Sequence, residues 1–154
     1  MTLHNLSLLK KHELNAVLYH NPLDEFPDIE GQSHALNLYD EQQKDHDIKT
    51  VIRWKTGLEV PNVKYAPQLL RKYYKHLNRL VIENVLYREF YDDTGRVQIK
   101  QYCLPKHLWK EIIYRLHNSP TAGHLGIQRT LQEFRKRLYY PGVTQHLCHL
   151  LKTA

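Results

Sequence analysis

Two histidines, His117 and His124, lie seven positions apart and enclose a loop of turn-forming residues, 118–123 (Asn-Ser-Pro-Thr-Ala-Gly). Such a loop can fold the chain back so that both imidazoles approach one point. Neutral imidazole is a common metal ligand, and it is one of the ligands that zinc prefers. A structural zinc ion needs four nitrogen or sulfur ligands, so this pair alone does not complete a site. Two ordinary surface histidines are the simpler alternative for the pair in isolation.

The residues around the pair carry a specific resemblance. Ala122-Gly123 precedes the second histidine, a basic amphipathic helix follows it, and Tyr139-Tyr140-Pro141-Gly142 comes after that helix. Together they resemble the zinc-binding amino-terminal domain of integrases from retroviruses and gypsy-type retrotransposons, which has a His-His-Cys-Cys ligand set. The resemblance implies that His117 and His124 are the metal ligands.

The same resemblance implies zinc as the cofactor, at a site that is incomplete in this sequence. In that family a Cys-x-x-Cys pair follows the second histidine by about thirty residues and closes a Cys2His2 site. Ala154 occupies the first cysteine position, and the second would follow it. A complete site contributes about 10–16 kcal/mol to folding. With two imidazoles the chain is expected to bind zinc weakly or not at all.

Three further donors, His146, Cys148 and His149, lie in the last predicted helix. Cys148 precedes the expected cysteine position by six residues, well over one helical turn. The helix would have to shift to bring this thiol to the two histidines. The simpler interpretation is that all three are ordinary helix residues.

The excess positive charge lies in the segment that carries the histidines. Residues 105–154 contain eight basic and two acidic side chains, whereas residues 1–104 contain fourteen of each, and the net charge is +6. This distribution favours a polyanionic partner, although a solvated surface would show the same counts. Together with this charge, the resemblance to integrases implies weak binding to DNA.

Candidate nucleic-acid-binding residues lie in the predicted helix 126–139, and they are Arg129, Arg135, Lys136 and Arg137. Arg129 and Lys136 are the favoured phosphate contacts because residues seven apart share a helix face. Tyr114, Tyr139 and Tyr140 could stack on bases, but tyrosines beside an apolar stripe more often pack in a core.

Hydrophobic periodicity predicts a mainly α fold with a small β-hairpin. Helices are predicted at 37–56, ending before Gly57, and at 67–77, beginning at Pro67. Strands at 80–90 and 96–102 flank a turn at 92–95 and form the hairpin, which gypsy-type relatives also show before the zinc module. A three-helix domain of the integrase zinc-binding type follows, with helices beginning near Pro105, Gly126 and Val143.

Three regions are predicted along the chain. Residues 1–36 are interpreted as a linker, because they contain an acidic, proline-containing run without a sustained period. Residues 13–17 and 21–23 resemble the end of the ribonuclease H region of gypsy-type polyproteins, which implies a remnant of an upstream Pol region. Residues 37–104 form the helical and hairpin region, and residues 105–154 the incomplete zinc-binding-type domain. Cys103 is expected to be a buried small hydrophobe. Asp45 and Asp47 are expected on a polar helix face.

No catalytic constellation is found, since the sequence lacks a glycine-rich phosphate loop, a Ser-His-Asp or Cys-His arrangement and convergent carboxylates. In integrases the catalytic core follows the zinc module, and this sequence contains no such core. The chain is therefore not expected to be an enzyme. Neither a secretory signal nor a membrane-spanning run is visible, which favours an intracellular location in the cytoplasm or nucleus and no membrane partner.

The resemblance implies a fragment of a retrotransposon Pol polyprotein, related to DNA integration and nucleic-acid binding. The alternative is a protein interaction or multimerisation module, domesticated or remnant, that pairs with itself or with an intact integrase.

Overall fold

Helices and strands alternate along the part of the chain that the computed structural model describes, residues 37–91, 93–117 and 126–152. In chain order the elements are α1 (Leu38–Gln43), α2 (His46–Thr56), α3 (Gln68–Lys75), a 3-10 turn (Leu77–Arg79), β1 (Leu80–Glu83), β2 (Val85–Tyr91), β3 (Val97–Cys103), α4 (Lys106–His117), α5 (Ile127–Arg135), β4 (Leu138–Tyr139) and α6 (Val143–Lys152). The region 1–36, interpreted as a linker, lies outside the described residues, and the predicted domain boundaries stay a prediction.

The described strands form one sheet in the order β1-β2-β3-β4. β2 is antiparallel to both β1 and β3, and β4 pairs with β3 in parallel. The expectation of a mainly α fold with a small hairpin is therefore met only in part, because these residues form a mixed α/β structure. The β2–β3 hairpin itself is confirmed, with its turn at Gly95 in the left-handed conformation that glycine favours.

Two features explain the larger sheet. The predicted strand 80–90 divides at Asn84, whose φ of 66° lets the chain reverse so that Glu83 pairs with Val85. Asparagine tolerates this left-handed conformation better than most residues. Leu138 and Tyr139, predicted to be helical, instead pair with Tyr102 and Cys103 as β4. Helix α5 therefore ends at Arg135, earlier than predicted.

The predicted helix 37–56 is two helices separated at Lys44 and Asp45. Asp45 is the N-cap of α2, and its Oδ1 accepts a hydrogen bond from the Ile48 amide at 2.9 Å. Its Oδ2 accepts one from the Lys106 amide at 2.7 Å, so it also connects α2 to the start of α4. The expectation of a solvated Asp45 is therefore wrong, since this side chain is buried because it satisfies two backbone amides.

Helix ends set by glycine and proline are confirmed. Gly57 ends α2 with a φ of 76°, Pro67 precedes α3 as its N-cap, and α4 begins directly after Pro105. Both residue types act through backbone sterics, which the local sequence specifies.

A hydrophobic cluster joins α2 and α3 to the sheet, and its fully buried members include Ile48, Val51, Tyr73, Leu80, Leu86 and Cys103. Cys103 is a buried small side chain as expected, and burial raises the pKa of its thiol well above the usual range. In the carboxy-terminal part, Ile113, Leu131, Phe134 and Leu147 are buried as their helical spacing predicts.

Gln42 fixes α1 to the hairpin. Its side-chain Nε2 donates hydrogen bonds to the carbonyl oxygens of Leu86, at 3.0 Å, and Cys103, at 2.9 Å. Its Oε1 accepts one from the Leu86 amide at 2.8 Å. A single buried side chain thus satisfies backbone groups of two strands.

Within the described ranges, no helix combines the length and apolar character that crossing a bilayer requires.

Candidate metal ligands and nucleic-acid interface

Of the two predicted metal ligands, the structure describes His117. It is the last residue of α4 and is half-buried. The second predicted ligand, His124, and the position of Ala154 lie outside the described residues. The geometry of the predicted pair therefore stays a prediction.

The described residues do not by themselves fit a zinc site, because they contain no group of three or more His, Cys, Asp or Glu side chains that could hold a metal. The candidate substitute donor His146 packs its ring against Trp109 and Tyr140, with centroids 5.6 Å away in both contacts. Burial, and next the positive charge of Lys72, lower the pKa of His146. Apart from these ring contacts the side chain is exposed, as for an ordinary helix residue.

The four predicted nucleic-acid-binding residues lie on α5 and directly after it. Arg129 is exposed on the helix, and Arg135 ends it. Lys136 continues the helical conformation by one residue, so its position seven residues from Arg129 keeps it on the same face, about 10 Å along the axis. Arg137 follows, and its carbonyl oxygen accepts a hydrogen bond from the Tyr102 amide at 2.8 Å.

Two of these cations, Arg135 and Lys136, line a cleft of about 660 Å3. Arg135 donates a hydrogen bond to the Thr144 hydroxyl at 2.8 Å, and the ammonium of Lys136 pairs with Glu133 at 2.7 Å. The volume falls in the range typical of ligand-binding pockets. The favoured Arg129 does not line this cleft, although it shares a helix face with Lys136, which does.

Three other cations complete this surface, which we call the basic cleft and define by Lys72, Lys75, Arg88, Arg135 and Lys136. Lys72 and Lys75 belong to α3, and Arg88 belongs to β2. Among the described residues, no Asp or Glu lines the cleft, and Lys72, Lys75, Arg88 and Arg135 form no ion pair with a carboxylate there.

Sequence reasoning missed Lys72, Lys75 and Arg88 because it counted charge over the whole of residues 1–104, where the signs balance. A shorter window would have found two of them. Residues 60–82 contain Lys64, Arg71, Lys72, Lys75 and Arg79 and no acidic residue. Arg88 gives no comparable signal, because Glu83 and Glu89 flank it in the sequence.

Arg88 is held in one orientation on the sheet. Its Nη1 donates a hydrogen bond to Gln101 Oε1 at 3.0 Å, and the guanidinium carbon lies 4.7 Å from the centroid of the Tyr139 ring. Gln101 Nε2 in turn donates to the Arg135 carbonyl at 2.6 Å. The Nε of Arg88 is buried and meets no acceptor among the described residues. Partial burial lowers the pKa of Arg88 below its ordinary value, and a guanidinium nevertheless stays charged near neutral pH.

The cations of the cleft also act on a nearby histidine. Burial lowers the pKa of His76, and the charges of Arg88, Arg79 and Lys75 lower it further. His76 itself lines the cleft. Several like charges around a concave surface raise the local concentration of anions.

The tyrosines that follow α5 pack inside the molecule. Tyr140 stacks on Trp109, with centroids 5.3 Å apart and ring planes 10° from parallel. Tyr139 makes an edge contact with Tyr73 at 5.7 Å. These contacts support the expectation of core packing for both rings, whereas Tyr114 is exposed.

Comparison with known proteins gives one finding for the carboxy-terminal part. Residues 104–153 match the family model described as integrase zinc binding domain. No curated protein and no solved structure matched the chain. The matched segment contains the predicted ligands His117 and His124 and the basic residues of α5. Residues 104–153 are therefore similar to integrase zinc-binding domains.

Proposed function

We propose that this chain is a nucleic-acid-binding module of the integrase type, which comes from the Pol polyprotein of a gypsy-type retrotransposon and serves DNA integration. The observation that carries the proposal is the cluster of cations at the end of α5, within the segment that matches the integrase zinc-binding domain.

The cluster is suited to phosphate contacts. Arg129, Arg135 and Lys136 are exposed, and Arg137 is half-buried. Arginine binds phosphate oxygens with two parallel N–H donors, and each neutralised phosphate releases counterions into solution. A few such contacts give weak, salt-sensitive binding with little dependence on base sequence.

The test is the salt dependence of DNA binding by the full chain and by the double variant Arg129→Ala with Lys136→Ala. Loss of two phosphate contacts should lower the slope of log affinity against log salt by about 1.8 on duplex DNA. The matched control is Lys49→Ala with Lys110→Ala, two exposed lysines outside the basic cleft, which removes the same charge. An unchanged slope in the α5 variant would rule out these two contacts.

Zinc is the cofactor that the family implies, and its affinity is a separate question. Ala154 occupies the first cysteine position of the family pattern and offers no donor atom. We expect the chain to bind zinc more weakly than a version with Ala154→Cys and an added second cysteine. Calorimetry with circular dichroism measures the difference, and equal affinities would contradict the expectation.

A second candidate function is protein interaction, including self-association or pairing with an integrase. The connection between α2 and α3 exposes Leu58, Val60 and Tyr65, with 80%, 87% and 79% of their surfaces accessible. Exposed apolar residues close in sequence are a common feature of interaction sites. Light scattering on the full chain and on Leu58→Ser with Val60→Ser tests it, because an oligomer that dissociates only in the variant would support this function.

A further inference from the structure

The basic cleft combines charge with an apolar surface. Arg88 and Phe90 alternate along β2 and therefore point to the same face of the sheet. Their cross-strand partners on β3 are Gln101 and Ile99, and all four residues line the cleft. Phe90 is 40% exposed, which is unusual for a phenylalanine on a sheet face. The floor thus offers an accessible aromatic ring within two residues of a fixed guanidinium.

The cations stand around this floor on different elements. Lys72 and Lys75 lie on α3, and Arg135 and Lys136 lie at the end of α5. Lys72 approaches the turn at Gly142 so closely that a Cβ added there would meet its Nζ at 2.5 Å. The ammonium also lies 3.4 Å from Gln145 Oε1. Neither neighbour carries a negative charge, so both walls present cations to the ligand space.

Charge and shape select one kind of occupant. Phosphodiesters would supply the negative charge that the described lining of the cleft lacks, and an unpaired base could stack on Phe90. Duplex DNA hides its base faces within the helical stack, so it could use the cations but not the aromatic ring. An acidic peptide would match the charge and leave the ring without a planar partner.

We infer that the basic cleft is a binding site for single-stranded nucleic acid, in which Lys72, Lys75 and Arg135 contact phosphates and Phe90 stacks on a base. Gln101 lies below them, where it holds the Arg88 guanidinium and the end of α5 in place. This inference rests on the proposed function and specifies the form of nucleic acid that the chain prefers.

The experiment measures fluorescence anisotropy of a short labelled oligothymidylate and of a duplex of equal length with the full chain over a salt series. The single strand should bind more tightly. The variant Lys72→Gln with Lys75→Gln should lower the single-strand salt slope by about 1.4, since each lost contact removes about 0.7. The control Lys49→Gln with Lys110→Gln should leave that slope unchanged.

A second pair of variants tests the stacking step. Phe90→Ala should weaken single-strand binding by about fivefold or more and leave the salt slope unchanged, because stacking is not ionic. The control Tyr114→Ala removes another exposed aromatic ring outside the cleft. Thermal melts of each variant establish that it is folded.

The outcomes separate the inference from the proposed function. Salt-dependent DNA binding that prefers the duplex, or that responds equally to cleft and control variants, would overturn the inference and leave the proposed function intact. Tighter binding of a poly-glutamate peptide than of the single strand would also overturn it. Failure of the full chain to bind either nucleic acid in a salt-dependent way would contradict both.

Discussion

Two polar regions of this chain are built in opposite ways. Around α1, Gln42 makes three hydrogen bonds to the hairpin backbone, and Glu41 is bound by Lys44 and His107. In the basic cleft, Lys72, Lys75, Arg88 and Arg135 meet no carboxylate of the described residues. Buried polar groups that stabilise the fold find hydrogen-bond partners inside the protein. Like charges held close together repel each other and therefore destabilise the fold. We therefore expect a cluster of like charges, such as that of the basic cleft, at a place where a bound ligand supplies the opposite charge.

The largest expected effect falls on the paired region. Gln42→Leu leaves the amide of Leu86 and two carbonyl oxygens without partners in a buried site, which should lower the free energy of unfolding by about 2–4 kcal/mol. Denaturant titration measures it. The control Gln43→Leu changes the partly exposed neighbour and should cost no more than about 0.5 kcal/mol. Equal losses would show that Gln42 does not fix α1 to the sheet.

A smaller effect depends on pH. Glu41 accepts hydrogen bonds from His107, at 2.6 Å, and Lys44, at 2.8 Å. The bond from His107, followed by that from Lys44, lowers the pKa of Glu41 from its ordinary 4.5, and burial opposes the change. A lowered carboxyl pKa stabilises the fold above the ordinary value, and this stability is lost as the pH falls through the folded-state pKa.

We therefore expect Glu41→Gln to lower the free energy of unfolding by about 1 kcal/mol near neutral pH. The difference from the unmodified chain should shrink as the pH falls below 4.5 and through the lowered pKa. Unfolding curves across that window measure it, and His107→Gln should reduce the pH dependence. A difference that stays constant with pH would contradict this role of Glu41.

The smallest effect should have the opposite sign. Lys75→Gln removes one of several like charges in the basic cleft, so it should raise the free energy of unfolding by up to about 0.5 kcal/mol at low ionic strength. Added salt should remove the gain because it screens the repulsion. Thermal unfolding at two salt concentrations, with Lys49→Gln for comparison, measures it. A loss of stability would mean that Lys75 contributes to the fold itself.

How far the sequence predicted the structure depended on whether a feature is local. Gly57, Pro67 and Pro105 mark helix ends through backbone sterics, so these ends were predicted. Leu138 and Tyr139 form a strand only because they pair with Tyr102 and Cys103. The hydrophobic periodicity of the sequence does not predict this contact. The burial of Asp45 likewise depends on the distant Lys106 amide.

The candidate site shows the same limit. Arg135 and Lys136 were identified because they lie in one helix with a basic character. Lys72 and Arg88 join them only through the fold, since they come from α3 and β2. The aromatic partner Phe90 had no signal of its own, because a phenylalanine in a strand normally indicates a core position.

The most direct test of the account is an NMR titration of the full chain with an oligothymidylate. It would follow the Arg88 Nε–H resonance and the side-chain amides of Gln101 and Gln42. We predict that the Arg88 and Gln101 signals shift on binding, because both residues line the basic cleft, while the Gln42 signal stays in place within its paired site. Binding with unchanged Arg88 and Gln101 signals would contradict the claim that the basic cleft is the nucleic-acid-binding site.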